Sequence, residues 1–169
     1  MPHRMSFADP PRLLCDEMLQ GLGRWLRAAG YDTAIELSGC SDARLLERAL
    51  EEQRILVTRD RKLIEHRAAR ERVVLLQANS LADCAQEVAQ HLGIDWCFQP
   101  FSRCLLCNQL LRQASPEQMA QIPSESRARV SEALACPECN KVYWDGSHVR
   151  RMRRQLEGWS RRTRPGGRA

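Results

Sequence analysis

The sequence predicts an α/β chain in which a mainly parallel sheet flanked by helices is followed by a small metal-folded module and a basic tail. Three observations carry this. Short apolar runs near residues 13, 55 and 73 alternate with helical periods, the pattern of βαβ units. Regular periods stop near residue 95, and four cysteines then fall in two CxxC pairs. Finally, residues 148–169 hold eight arginines against one acid, Glu157.

The elements follow in order. Residues 1–11 carry Pro2, Pro10 and Pro11 and no period, which is a lead-in. The run Leu13–Cys15 stops at Asp16 and Glu17, a buried strand handing over to a helix. Met18, Leu22, Trp25, Leu26 and Ala29 recur at three- and four-residue steps, so one face of that helix is apolar. Gly30 is its stop. Residues 31–37, YDTAIEL, alternate as a second short strand, and a turn at 38–40 leads to Ser41 as an N-cap. Asp42 opens the helix that carries Leu45, Leu46, Ala49 and Leu50 on one face.

Residues 54–58, RILVT, form a continuous apolar run, as a parallel strand buried on both faces requires. It ends at Asp60, and a helix is expected over residues 62–70. Residues 73–76 make another buried strand, and Ser80 caps the helix Leu81–Leu92. The domains expected are an α/β domain over residues 12–95, a metal module over 100–148 with a short helix near 115–120, and a basic helix and Arg-rich tail over 149–169.

At 169 residues, 43% hydrophobic and 28% charged, the chain has room for one buried core and an accessory module. Its apolar runs are far below the roughly 18–20 residues of a membrane span. The N-terminal segment MPHRMSFADPPR lacks a signal-type apolar core, so a cytoplasmic protein is expected. Net charge is +5, but the terminal 22 residues stand near +7 and the body near −2. A basic tail on such a body predicts a polyanionic partner.

Eight cysteines in a chain of this kind argue for metal rather than disulfides. Cys15, Cys40, Cys84 and Cys97 are scattered in apolar or mixed contexts, as buried small hydrophobes are. Cys104, Cys107, Cys136 and Cys139 form two knuckles, each followed by Asn, at 108 and 140. Four thiolates can surround zinc tetrahedrally and supply folding energy that so small a core lacks. The reading is a structural zinc ribbon, with an iron–sulfur cluster also compatible with four thiolates.

Asp16 ends one strand, Asp42 opens a helix after a strand, and Asp60 ends another strand. In a parallel sheet such positions share the carboxyl edge, where ligands bind. Three carboxylates there can hold Mg²⁺ or Mn²⁺ against a scissile phosphate. Glu17 is a fourth acid, although neighbours on a strand point to opposite faces. Arg24 and Arg27 on the first helix, Arg59, Arg61 and Lys62 beside Asp60, and Arg150, Arg151, Arg153 and Arg154 in the tail are the expected contacts to a nucleic-acid backbone.

The pattern D-E-M-L-x-x-L-x-R-W-L-R-x-x-G-Y-D-T, a helix-opening Asp, and R-I-L-x-T-R-D-x-x-L resembles the Mut-seven C-terminal RNase family. P-F-S-R-C-L-x-C-N at 100–108 and C-P-x-C-x-x-V-Y-W-x-G-S-H at 136–148 extend the resemblance over about residues 12–156. It implies a PIN-like nuclease domain joined to a zinc ribbon, and metal-dependent endoribonuclease chemistry with Asp16, Asp42 and Asp60 at the acidic positions. RNA, and a ribosome or other ribonucleoprotein, are the implied partners, with no small-molecule cofactor. PIN-type nucleases commonly present four acids, and three are placed here. The alternatives are a non-catalytic RNA- or ribosome-associated module on a degenerate core, and an adaptor whose Trp144, His148 and Trp159 form a contact face.

Overall fold

The computed structural model describes residues 9–65 and 72–163. Four parallel strands, β1 (Leu13–Cys15), β2 (Thr33–Ile35), β3 (Ile55–Thr58) and β4 (Val73–Leu75), form a sheet in the order β2-β1-β3-β4. The two most apolar runs are the two central strands, with every residue buried. Successive side chains alternate between faces. Leu13, Cys15, Ile55 and Val57 therefore enter one apolar cluster, and Leu14 and Leu56 enter another on the opposite side.

Helix α1 (Gln20–Ala28) and helix α3 (Leu81–Leu92) cover the first face, through Leu22, Leu26, Cys84, Ala85, Val88 and Leu92. Helix α2 (Asp42–Glu51) covers the second with Leu45, Leu46 and Ala49, joined by Leu63. Gly23 lets α1 approach β2 closely, since a Cβ there would lie 2.7 Å from the Ile35 side chain. Residues 17–19 form a 3-10 turn before α1, so Met18 is 63% exposed instead of continuing the apolar face. The expected helix over 62–70 begins as a 3-10 turn at Arg61–Glu65, and the rest of it lies outside the described residues.

The second module is an antiparallel sheet, β5 (Arg112–Gln113), β6 (Ala133–Ala135) and β7 (Val142–Trp144), in that order. Short helices α4 (Pro116–Met119) and α5 (Ser124–Arg127) fill the 28-residue gap between the cysteine pairs, with a capping box at Ser115 and Gln118. Its buried residues form two small clusters, Ile122, Ala133, Ala135 and Val142 in one and Cys104, Cys136 and Tyr143 in the other, too few to hold a fold unaided.

Helix α6 (Ser147–Thr163) then returns to the first domain. Val149, Met152, Leu156 and Trp159 recur at three- and four-residue steps and join the cluster built by α1 and α3. Trp159 stacks edge-on against both Trp25 and Trp96, each at 4.9 Å between ring centroids. The alternative contact face of Trp144, His148 and Trp159 is therefore not formed as a set, because Trp159 is buried in the core. Trp159→Ala should cost about 3–5 kcal/mol of stability, read as a lowered urea midpoint. An unchanged midpoint would mean that α6 does not hold the domain. Residues 164–169 of the tail lie outside the described residues.

Candidate active site and metal centre

Asp16 follows β1 directly and is the N-cap of the turn after it. Its Oδ1 accepts the N–H groups of Met18 and Leu19 at 3.0 and 3.1 Å. Its Oδ2 accepts the Thr58 hydroxyl and, at 3.4 Å, the Arg59 N–H. The buried carboxylate is thus clamped between the ends of β1 and β3. Because the chain turns at Asp16, Glu17 is not on a strand, and it lines the same cleft.

Asp42 is the first residue of α2, after the Ser41 N-cap. Asp60 stands two residues beyond β3, its N–H donating to the Thr58 hydroxyl and its Oδ1 accepting the Lys62 N–H at 2.9 Å. Asp16, Glu17, Asp42 and Asp60 all line one cleft of about 90 Å³ at the carboxyl edge of the sheet. Glu36 also lines it, and no Lys or Arg among the described residues does. No three of these carboxylates lie within 4.8 Å of one another; among the described residues that spacing is met only by the four cysteines.

Glu36 is the residue the sequence reading missed. It follows β2 as Asp16 follows β1, since Cys15 pairs with Ile35 across the two strands. The available signal was an acid directly after a short run in a neighbouring parallel strand. Its Oε1 accepts the Ser38 hydroxyl and the N–H groups of Leu37 and Ser38, and its Oε2 pairs with Arg48 at 3.0 Å. The Ser38 hydroxyl and N–H, with Arg48, outweigh burial and hold its pKa down from 4.5 to about 2. Glu36 thereby fixes the loop that carries Gly39, Cys40 and Asp42.

A group whose folded pKa is depressed binds fewer protons in the folded state, so its stabilisation is present above the unfolded pKa. It is lost as pH falls through the folded value. For Glu36 that window runs from 4.5 down to about 2. Wild type should therefore lose stability relative to Glu36→Gln across this range, and parallel urea-midpoint curves for the two would count against the assignment.

The basic residues divide. Arg24, Arg61 and Lys62 are exposed, Arg61 reaching Gln77 at 3.2 Å, and Arg59 is half-buried and braced on Asn79. Arg151 and Arg154 are exposed on α6 with no ion pair among the described residues. Arg150 pairs with Asp145, and Arg153 lies over the Phe101 ring. Arg27 corrects the expectation made for it. It is 6% exposed, and its guanidinium donates to the carbonyls of Thr33, Leu105 and Leu106 at 2.8–3.0 Å. Those acceptors leave it a clamp between the two modules instead of a contact to phosphate.

The four cysteine sulfurs lie within 4.8 Å of one another. Each knuckle closes alike: the N–H groups of Asn108 and Asn140 donate to the carbonyls of Cys104 and Cys136, and both asparagines take positive φ, 72° and 57°. The Tyr143 hydroxyl accepts the Leu105 N–H at 3.0 Å and so directs its own hydrogen to Cys104 Sγ. Burial opposes the charged form of Cys104, but Tyr143 and the N–H groups of Cys107 and Leu106 outweigh it and bring the thiol down to about 6. A thiolate is the form that ligates metal, so the donor set fits a structural ion such as zinc.

The first knuckle also seals the sheet. Asn108 Oδ1 accepts the Thr33 N–H on edge strand β2 at 3.0 Å, and its Nδ2 donates to Asp32 at 2.7 Å.

A parallel α/β domain with an acidic cleft at its carboxyl edge, docked on a four-cysteine module, is the two-part class that fold and site define. The family model described as the Mut7-C RNAse domain matches residues 11–156, and the chain belongs to that family. Neither the curated proteins nor the solved structures contain a significant match. Membership ties the chain to ribonuclease-like function and to RNA as the substrate class. No helix among the described residues is long and apolar enough to cross a membrane.

Proposed function

We propose that the chain is a metal-dependent ribonuclease with a PIN-like catalytic domain, hydrolysing RNA phosphodiesters internally at the acidic cleft. The observation that carries this reading is the meeting of Asp16, Asp42, Asp60, Glu17 and Glu36, from separate elements, in one cleft that no Lys or Arg lines among the described residues. The donor chemistry fits Mg²⁺ or Mn²⁺, hard ions that take one or two carboxylates and keep several waters. Asp16, Asp42 and Asp60 are the residues that would hold such an ion, directly or through its waters. When bound it lowers the pKa of an attacking water and stabilises the leaving oxygen. Asp16, clamped by Thr58 and three N–H groups, supplies a fixed oxygen, while Asp42 and Asp60 face the cleft from α2 and the end of β3. Arg59, Arg61 and Lys62, beside Asp60, would hold the flanking phosphates.

The test is cleavage of a labelled circular RNA, which has no ends for an exonuclease. Wild type should cut it with Mg²⁺ or Mn²⁺ and not without, and Asp42→Asn and Asp60→Asn should not cut it. If wild type is inert toward circular and linear RNA yet binds both with a steep salt dependence, the chain is instead a binding module on a retired nuclease core.

A further inference from the structure

We propose that the groove between the four-cysteine module and α1 binds single-stranded RNA, with a nucleobase against Trp144 and the adjoining phosphates on Arg24 and Lys141. This inference rests on the reading of RNA as the substrate class and adds a second site to it, outside the acidic cleft. The groove encloses about 530 Å³, and its walls come from α1, the first knuckle, β7 and the start of α6. That volume falls in the range of sites that enclose a small organic group.

Its chemistry is sorted. Arg24, Lys141 and His148 are exposed on its rim, and none has an ion pair among the described residues. No Asp or Glu among the described residues lines it. Leu105, Leu106, Val149 and Met152 make the apolar wall, with the half-buried indole of Trp144 beside them. Gly146 keeps the indole edge open, because a Cβ there would lie 2.8 Å from Nε1. An apolar slot with an aromatic plane and cations at its mouth is what an unpaired nucleotide requires, and a duplex has no free base to offer it. An apolar peptide would satisfy the wall and leave the unpaired cations unanswered. Arg24 lies seven residues beyond Glu17, about 10 Å along the helical run, so a strand held in the groove leads toward the acidic cleft.

Binding of a fluorescein-labelled 12-nucleotide poly(U), followed by anisotropy without added Mg²⁺ or Mn²⁺, tests this independently of cleavage. The same strand should quench tryptophan fluorescence through Trp144, because Trp96 and Trp159 are buried and the half-buried Trp25 is packed edge-on against Trp159. Trp144→Phe, which keeps an aromatic in the packing, should bind and lose the quenching. Lys141→Ala and Arg24→Ala are surface changes, and each should lower affinity several-fold and reduce the salt slope by about 0.7. Duplex RNA should bind more weakly and quench nothing. The proposal is overturned if the Arg24→Ala/Lys141→Ala double variant binds poly(U) like wild type, if poly(U) leaves Trp144 unquenched, or if a glutamate-rich peptide displaces it at equal affinity. The last result would make the groove a protein-docking surface. Normal binding by a protein that never cleaves would keep this site and remove the nuclease reading, whereas cleavage without groove binding would do the reverse.

Discussion

Asp60→Asn should lower metal-dependent RNA cleavage by at least about 100-fold, the scale on which a positioned catalytic carboxylate acts, with an unchanged unfolding midpoint. The substitution separates charge from shape. Asp60 contributes to the fold by accepting the Lys62 N–H through Oδ1, and an asparagine oxygen accepts the same bond. Asp42→Asn should behave alike, since asparagine is tolerated at the start of a helix and Ser41 still caps α2. Asp16→Asn is the less clean variant. Both Asp16 oxygens accept hydrogen bonds, and an amide nitrogen in place of Oδ2 would point a donor at the Arg59 N–H. It should lose activity and stability together. Equal cleavage by wild type and Asp60→Asn would remove the cleft from the reaction.

Cys136→Ser should abolish the folded state of the second module. Structural zinc in small domains supplies on the order of 10–16 kcal/mol of apparent binding energy, and here the module's two small clusters add to the cysteines only Ile122, Ala133, Ala135, Val142 and Tyr143 as buried residues. Metal content should fall from one ion per chain, and amide protection should vanish over β5, β6 and β7 while β1 and β3 keep theirs. Cys15→Ser is the control, since that thiol is buried between β2 and β3 and far from the cysteine group in the chain. It should cost stability without loss of metal. Full protection of β6 and β7 in a metal-free Cys136→Ser protein would show that the module folds on its side chains alone. Iron and sulfide in place of zinc would leave this expectation standing and change the ion.

The sheet and the cysteine group were legible because both are local signals. A strand buried on two faces must be apolar throughout, which residues 13–15 and 55–58 display, and a CxxC knuckle declares its ligands within four positions. What stayed hidden depends on distant partners. Arg27 reads as a surface cation until carbonyls 78 and 79 residues away surround it. Glu36 reads as the outward polar position of an alternating strand until pairing of β1 with β2 sets it beside Asp16. In α6 the apolar positions 149, 152, 156 and 159 were present, but six arginines between 150 and 162 concealed that stripe behind charge. The acidic positions 16, 42 and 60 were legible as a set because strand ends of a parallel sheet share one edge.

The Asn108 side chain has a consequence beyond docking. Strand β2 lies at the border of the sheet, and an uncovered border presents unpaired amides that a second chain can zip onto. Asn108 stands in for one rung of the missing neighbour by answering the Thr33 N–H. An ion held by the four cysteines would, by keeping that knuckle closed, also guard against self-association: a chain stripped of metal should expose a template before it loses its core, and precipitation should precede melting.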